Sequence, residues 1–331
     1  FHTLQKEHDK LASNGLRVIA LGMGEHTTDD IEKWKIEVVG LVGFLDPPKE
    51  GVLEAVKIAQ KAGIKVMMIT GDNPLTARAV AKSVNVYKEG DLVVSGQELN
   101  DMDDVSLAKI LPKVTVWARV LPEHKYRIVK ALQKEGEIVA VTGDGANDVP
   151  ALKAADLGIG MGGGTDAAKS TAKMVLADNN LSVIVDAIKQ GRTIANNIRK
   201  AIYFLVSTSL DEVILITGAI LMSLPLPLYP VQILWINLVA DSALDKTFPF
   251  LKDEEDVMNR APTKLHEKFL DKAQLLRVIY AALVISLGAL FIYILMLDSH
   301  GKESAISTLF TAFVIATWIN GLQSLKEHEP F

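Results

Sequence analysis

The chain has no cysteine. Structural disulfides and thiolate metal sites are therefore excluded. Its seven histidines (His2, His8, His26, His124, His266, His300 and His328) are scattered and show no zinc-ligand spacing. The net charge of −5 gives no electrostatic footprint for nucleic acid. No signal peptide is visible. The opening FHTLQKEHDK is polar and begins at Phe1, so the chain is expected to be a piece of something longer.

What is present is a division of character. Of 331 residues, 49% are hydrophobic and 23% charged, which excludes a disordered chain or a collagen. The first part is charged and mixed, while long apolar runs begin near residue 200. Membrane helices are expected at 195–224, 226–245, 273–297 and 304–323, since a bilayer core needs roughly 20 apolar residues in a helix. The strongest is the third, because 278–297 carries no charge. The second is short and entered through Pro225, Pro227 and Pro230, so the first two should form a hairpin. Arg192, Arg199 and Lys200 precede the first helix, and Lys246, Lys252, Arg260, Lys264 and Lys268 lie between the second and third. The outer turns hold only Lys302, so the large N-terminal part, the 242–274 loop and the chain end with Lys326 should face the cytoplasm.

Residues 37–190 alternate strand and helix patterns, the mark of a doubly wound parallel α/β sheet. IKVMMIT (64–70) and IVAVT (138–142) read as buried strands, and each ends in Gly-Asp. Ligands sit at such carboxyl ends. Asn73 and Pro74 read as cap and first position of the helix that follows. Residues 1–36 differ: the strand 16–23 has no partner within that stretch, and is expected to be the tail of another domain.

The densest motif is Thr142-Gly143-Asp144-Gly145-Ala146-Asn147-Asp148. Acid and amide oxygens on a glycine-rich strand end suit Mg²⁺, which keeps several waters. Taken alone, Thr70-Gly71-Asp72 reads more readily as a strand-to-helix turn, though its hydroxyl and backbone N–H could hold phosphate oxygens. Lys125, opening a helix, could place an ammonium beside a phosphoryl group, although a lone lysine is usually solvated. Asp211 and Glu212 fall within the first membrane span, and Asn237 and Asp241 share a face of the second. Acids in a span normally face a polar interior or an ion path. Thr208 and Ser209 add oxygens at helical spacing, whereas Asp245-Lys246-Thr247 reads as a loop.

These motifs, in this order, resemble the C-terminal half of a P-type cation-transporting ATPase of the calcium-pump-like subfamily. The resemblance rests on LDPPKEGV (45–52), MITGDNPLTA (68–77), ARVLPEHK (118–125), VTGDGANDVPALKAADLGIGMG (141–162), DNNLSVIVDAIKQGR (178–192) and LWINLVAD (234–241). It implies a haloacid-dehalogenase-like phosphorylation domain over 37–190, a nucleotide-domain tail over 1–36 and a transmembrane domain over 191–331. It further implies that ATP phosphorylates an aspartate in an Asp-Lys-Thr-Gly-Thr motif, which this sequence lacks, so that the first strand of the phosphorylation domain and its nucleophile are expected in a missing N-terminal half. By the same resemblance Asp144 ligates Mg²⁺, with Asn147 and Asp148 completing the shell. Thr70 and Gly71 hold phosphoryl oxygens, Asp72 supports their loop and Lys125 neutralises charge. Arg17, Asp46 and Arg119 are implied on the nucleotide side.

Ser209, Glu212, Asn237 and Asp241 match the positions of ion ligands in calcium pumps. Ser209 and Ala240 stand where those pumps carry Asn and Thr, and Asp211 replaces a small residue. Calcium is the first expectation, with Na⁺, H⁺ and Mg²⁺ as alternatives. Two readings of other classes are a membrane-tethered phosphatase, against which the absent nucleophile counts, and a catalytically inactive truncated or regulatory membrane protein.

Overall fold

A computed structural model divides the chain into two compact units, residues 1–188 with 258–265, and 189–257 with 266–331. The structure describes residues 2–24, 36–252, 257–263 and 270–325. Lys264, Lys268 and Lys326, which entered the orientation argument, lie outside the described residues, as do His26, His266 and His328.

The first unit runs α1 (His2–Ser13), β1 (Arg17–Gly24), β2 (Ile36–Phe44), α2 (Val52–Lys61), β3 (Met68–Ile69), α3 (Pro74–Ser83), β4 (Leu92–Ser95), α4 (Gly96–Asp101) and α5 (Asp104–Ile110). It continues with β5 (Val114–Ala118), α6 (Pro122–Lys134), β6 (Ala140–Gly143), a 3₁₀ turn at Ala146–Asp148, α7 (Val149–Ala154), β7 (Leu157–Met161), α8 (Asp166–Thr171) and β8 (Met174–Leu176). Local chemistry explains several boundaries. Asn73 Oδ1 accepts from the Leu75 N–H at 2.9 Å and Pro74 opens α3, as the sequence predicts. Ser95 and Glu98 form a reciprocal capping box at α4.

The parallel strands form two sheets, β3-β5-β4 and β6-β7-β8, where a single doubly wound sheet is expected. All five residues of β5 are buried, as a central strand requires. The apolar runs at 64–70 and 138–142 do not become central strands. β3 pairs only with β5, through Met68 and Ile69, and β6 pairs only with β7. Both are edge strands among the described residues. Their apolar side chains are correspondingly uncovered, Ile138 being 59% exposed. Helix α6 packs against both halves. Ile128 joins Val114, Trp117 and Leu107 in one core, and the adjacent Val129 joins Val139, Ala151 and Ala155 in another.

β1 finds its partner just beyond the N-terminal stretch, in β2, with which it pairs antiparallel from Arg17↔Phe44 to Gly24↔Ile36. The pair therefore crosses the expected boundary at residue 36.

In the second unit, α9 (Ser182–Leu221, entering this unit at Lys189) is 40 residues long. It absorbs both the 182–192 stretch and the first expected span into one helix. After the proline-rich turn come α10 (Pro230–Trp235), a π-helical segment (Ile236–Asp241) and α11 (Ser242–Asp245). They cover much of the second expected span, as a segmented helical path rather than one long helix. α12 (Lys272–His300) and α13 (Lys302–Ser324) match the third and fourth. Among the described residues, α9, α12 and α13 are long and apolar enough to cross a membrane. A shared core takes Leu215 from α9, Ala240 from the π segment, Tyr293 from α12 and Phe313 from α13. The Tyr293 hydroxyl donates to the Pro225 carbonyl at 3.1 Å, tying the turn to α12.

Candidate functional site

Two strand ends carry the candidate chemistry of the first unit. At the end of β3, the Thr70 hydroxyl donates to Asp72 Oδ2 at 2.9 Å, and the Asp72 N–H returns a bond to Thr70 Oγ1 at 3.1 Å. The Thr70 N–H donates to the Trp117 carbonyl, and the N–H groups of Arg119 and Val120 donate to the carbonyls of Asp72 and Thr70. The loop is thus stitched to the segment that leads into α6. Arg119 holds a positive φ of 48° at that crossing.

At the end of β6, Asp148 is the organising residue. Its Oδ2 accepts from the backbone N–H groups of Asp144 and Gly145, each at 3.1 Å, and its Oδ1 accepts from the Lys125 ammonium at 2.6 Å. Burial pushes the Asp148 carboxyl up, but the Lys125 ammonium and the two N–H donors outweigh it, and the group sits below the ordinary carboxylate range. The structure therefore commits Asp148 to shaping the loop. Asp144 and Asn147 are exposed on it. A Cβ at Gly143 would lie 2.5 Å from the Asp148 Cβ, so only glycine allows this closure. Gly164 and Thr165, which the motif reading passes over, complete the floor. The Thr165 N–H donates to the Asp144 carbonyl at 2.7 Å, and a Cβ at Gly164 would approach that oxygen to 2.8 Å. The run Gly162-Gly163-Gly164 was the available signal.

Mg²⁺ fits this donor set. Such an ion needs one or two carboxylates together with waters and substrate phosphate oxygens, not an all-protein cage. Asp144 offers an outward carboxylate, and among the described residues no group of three or more His, Asp or Glu side chains competes for the role. Arg17 opens β1 and Asp46 follows β2. Both are exposed, with no hydrogen bond or ion pair to either loop among the described residues, so the structure does not bring them into this set.

In the second unit, Asn237 Nδ2 donates to both Glu212 oxygens, at 3.3 and 3.2 Å, and to the Ile233 carbonyl at 3.1 Å. Two of the expected ligands therefore meet across α9 and the segmented helix. Asp241 is buried at the end of the π segment, and its Oδ1 has no hydrogen-bond partner. π segments recur at functional sites because they break the helical hydrogen-bond ladder. Ser209 is exposed and takes no part in this contact.

The matching families cover both units. Residues 5–156 and 125–188 match haloacid dehalogenase-like hydrolases, and residues 225–331 match the C-terminus of cation transporting ATPases. The human calcium-transporting ATPase type 2C member 1 is 39% identical over 325 residues, covering 98% of this chain and 35% of the relative. A calcium-transporting ATPase of Bacillus subtilis strain 168 is 38% identical over 329 residues, covering 97% of this chain and 37% of the relative. The chain thus carries a haloacid dehalogenase-like hydrolase region followed by the C-terminal region of cation transporting ATPases.

It spans about a third of the length of the curated relatives it matches. The haloacid dehalogenase-like match falls in the first unit, and most of the cation-ATPase C-terminal match falls in the second, which holds the helices long and apolar enough to cross a membrane. Two polar contacts that sequence reading did not anticipate lie in the second unit. Lys200 is buried and its ammonium donates to the Leu325 carbonyl at 2.8 Å. Asn320 donates to the Ser207 hydroxyl at 2.7 Å. Lys200 entered the sequence reading only as a flanking charge, and a single Asn near the end of an apolar helix carried no distinguishing signal.

Proposed function

We propose that this chain forms the catalytic loops and part of the ion path of an ATP-driven cation pump, with Ca²⁺ as the transported ion. The observation that carries the reading is that one chain holds both the Lys125–Asp148–Asp144 loop and membrane carboxylates facing the helical interior. A phosphatase of the same soluble fold would have no use for the second feature.

In this reading Thr70 and the Gly71 N–H hold oxygens of the transferred phosphoryl group. Lys125 neutralises their charge, and Asp72 fixes the Thr70 hydroxyl. Mg²⁺, held by Asp144 with Asn147 and Asp148 shaping its polar surroundings, would supply charge neutralisation to the phosphate. Phosphoryl transfer depends on such positioning and electrostatics. Arg17, Asp46 and Arg119 would serve ATP from outside the loop pair.

The nucleophile belongs to polypeptide beyond this sequence. β3 and β6 are both parallel edge strands, and both motifs stand at their carboxyl ends. A parallel strand pairing with both would complete one sheet and set an aspartate between the two loops. This supports the division into a nucleotide-domain tail, a phosphorylation domain lacking its first strand, and a membrane domain.

Glu212, Asn237, Asp241 and Ser209 would take the cation. Hard oxygen ligands and the absence of cysteine favour Ca²⁺, Na⁺ or H⁺ over copper or zinc. The test is phosphorylation from ATP by the full-length protein in membranes, titrated with Ca²⁺, Na⁺ and pH. Ca²⁺ activation that Asp241→Asn abolishes is the expected result. Activation by Na⁺ or protons alone would reassign the ion, and an unaltered response in Asp241→Asn would move the site elsewhere.

A further inference from the structure

Asp211 stands apart from the ligands that family resemblance supplies. It is 0% exposed within the helical unit, and neither of its carboxylate oxygens has a hydrogen-bond partner. Buried carboxylates are rarely left so, because the desolvation cost goes uncompensated. Its neighbour Glu212 projects about 100° away around the helix and has its oxygens satisfied by Asn237. Asp241, 4% exposed, repeats the pattern of Asp211 with an unpartnered Oδ1. Asp211 is within electrostatic reach of Asp241 and Glu212.

The hydroxyls of this region do not answer the unmet need of Asp211 with protons. Ser286 of α12 is completely buried and donates to the Asp211 backbone carbonyl at 2.8 Å, pinning that turn of α9 while leaving the carboxylate alone. Thr208 donates to the Leu205 carbonyl at 3.2 Å, and Ser207 to the Phe204 carbonyl at 2.8 Å. Thr208 also stands within hydrogen-bond reach of the Asp241 carboxylate, and Ser207 accepts from Asn320, so neither hydroxyl serves Asp211. Asp211 is left without a donor, and among the described residues neither it nor Asp241 is paired with a cationic side chain. A hard cation satisfies both deficits.

We propose that Asp211 is an additional direct ligand of the transported cation, acting with Asp241, and that its added charge selects a divalent ion. The inference rests on the reading of this unit as cation-transporting. It shifts the weight of the site from the Glu212–Asn237 pair, which satisfies itself, to the Asp211–Asp241 pair, which does not.

The test uses the full-length ATPase in membranes. Phosphorylation from ATP is titrated with free Ca²⁺ in the parent and in Asp211→Asn, and phosphorylation from inorganic phosphate without Ca²⁺ reports an intact fold. The expected result is a tenfold or greater rise in half-saturating Ca²⁺ for D211N, with the inorganic phosphate reaction unchanged. A shift below twofold overturns the inference while leaving a Ca²⁺-responsive parent, and with it the pump reading, intact. A parent indifferent to Ca²⁺, Na⁺ and pH removes both. Should D211N fail to react with inorganic phosphate, the unaltered protein decides: modification of Asp211 by dicyclohexylcarbodiimide, read by peptide mass spectrometry, is expected to be blocked by Ca²⁺. Equal modification with and without Ca²⁺ overturns the assignment.

Discussion

Asp148 shows how one side chain can organise a loop. Three donors converge on its two oxygens: Lys125 from α6 and the N–H groups of Asp144 and Gly145. Removing Lys125 leaves a largely buried carboxylate with backbone donors only. Lys125→Met should therefore destabilise the cytoplasmic unit by about 1–3 kcal/mol, measured by denaturant unfolding. The pH dependence follows from the direction of the Asp148 shift. Its carboxyl is depressed in the folded state, so its contribution is complete above the unfolded value near ~3.9 and is lost as pH falls through the lower folded value. The parent should resist acid further down than Asp148→Asn, which should show a flatter stability profile below about pH 5. Identical acid transitions in the two proteins would show that the Asp148 carboxylate gains nothing from its donors. Gly164 provides a second residue-scale check. A methyl there meets the Asp144 carbonyl at 2.8 Å, so Gly164→Ala should displace the Asp144 loop. If the proposed function holds, phosphorylation by the full-length protein should fall by about 10²–10³-fold, the scale seen when one preorganised electrostatic contact is lost, while the far-ultraviolet circular dichroism stays unchanged.

Helix α6 is the element on which the cytoplasmic unit depends, because consecutive residues serve different cores. Ile128 is wholly buried against β5 and the α4–α5 region, and Val129 is buried against the β6–α7 region. Ile128→Ala should cost about 2–5 kcal/mol, and Val129→Ala should also loosen the β6 loop, seen as faster amide exchange at 144–148. The motifs of this region were legible because phosphate and metal chemistry use short, ordered strings at strand ends. Asn73–Pro74 announced α3 for the same local reason. Two features were not legible. The short helices α4 and α5 depend on capping by Ser95 and Asp103 and on burial of Leu99 and Leu107, and seven residues or fewer give too little period to read. The interruption of the second membrane helix is also invisible to hydropathy, because a π turn changes the hydrogen-bond ladder and leaves composition untouched. The Glu212–Asn237 contact was anticipated from acids placed in an apolar span. The isolation of Asp211 needed the packing of α12, which no spacing encodes.

At the scale of the whole molecule, the unpaired sides of β3 and β6 decide what this chain can do alone. Among the described residues each strand pairs on one side only, β3 with β5 and β6 with β7, and apolar residues such as Ile138 remain open. A parallel sheet is normally covered and paired throughout, so the chain is built to receive another strand. If that strand brings the aspartate nucleophile, the chain by itself has binding loops for a phosphoryl group and nothing to accept it. Incubated alone with ATP and Mg²⁺, it should form no acid-stable, hydroxylamine-sensitive phosphoprotein, because no carboxylate nucleophile is held between its loops. The full-length protein should form one. Hydrogen exchange gives an independent view of the same claim. Backbone amides at 68–69 and 140–143 should exchange faster than those of the central strands β5 and β7 in the isolated chain, and should gain protection in the full-length protein. A phosphoprotein on the isolated chain would place the nucleophile within these residues. Equal exchange at β3 and β6 with and without the remaining polypeptide would mean that no strand enters between them, and the acceptor would have to reach the Thr70 and Asp144 loops from outside the sheet.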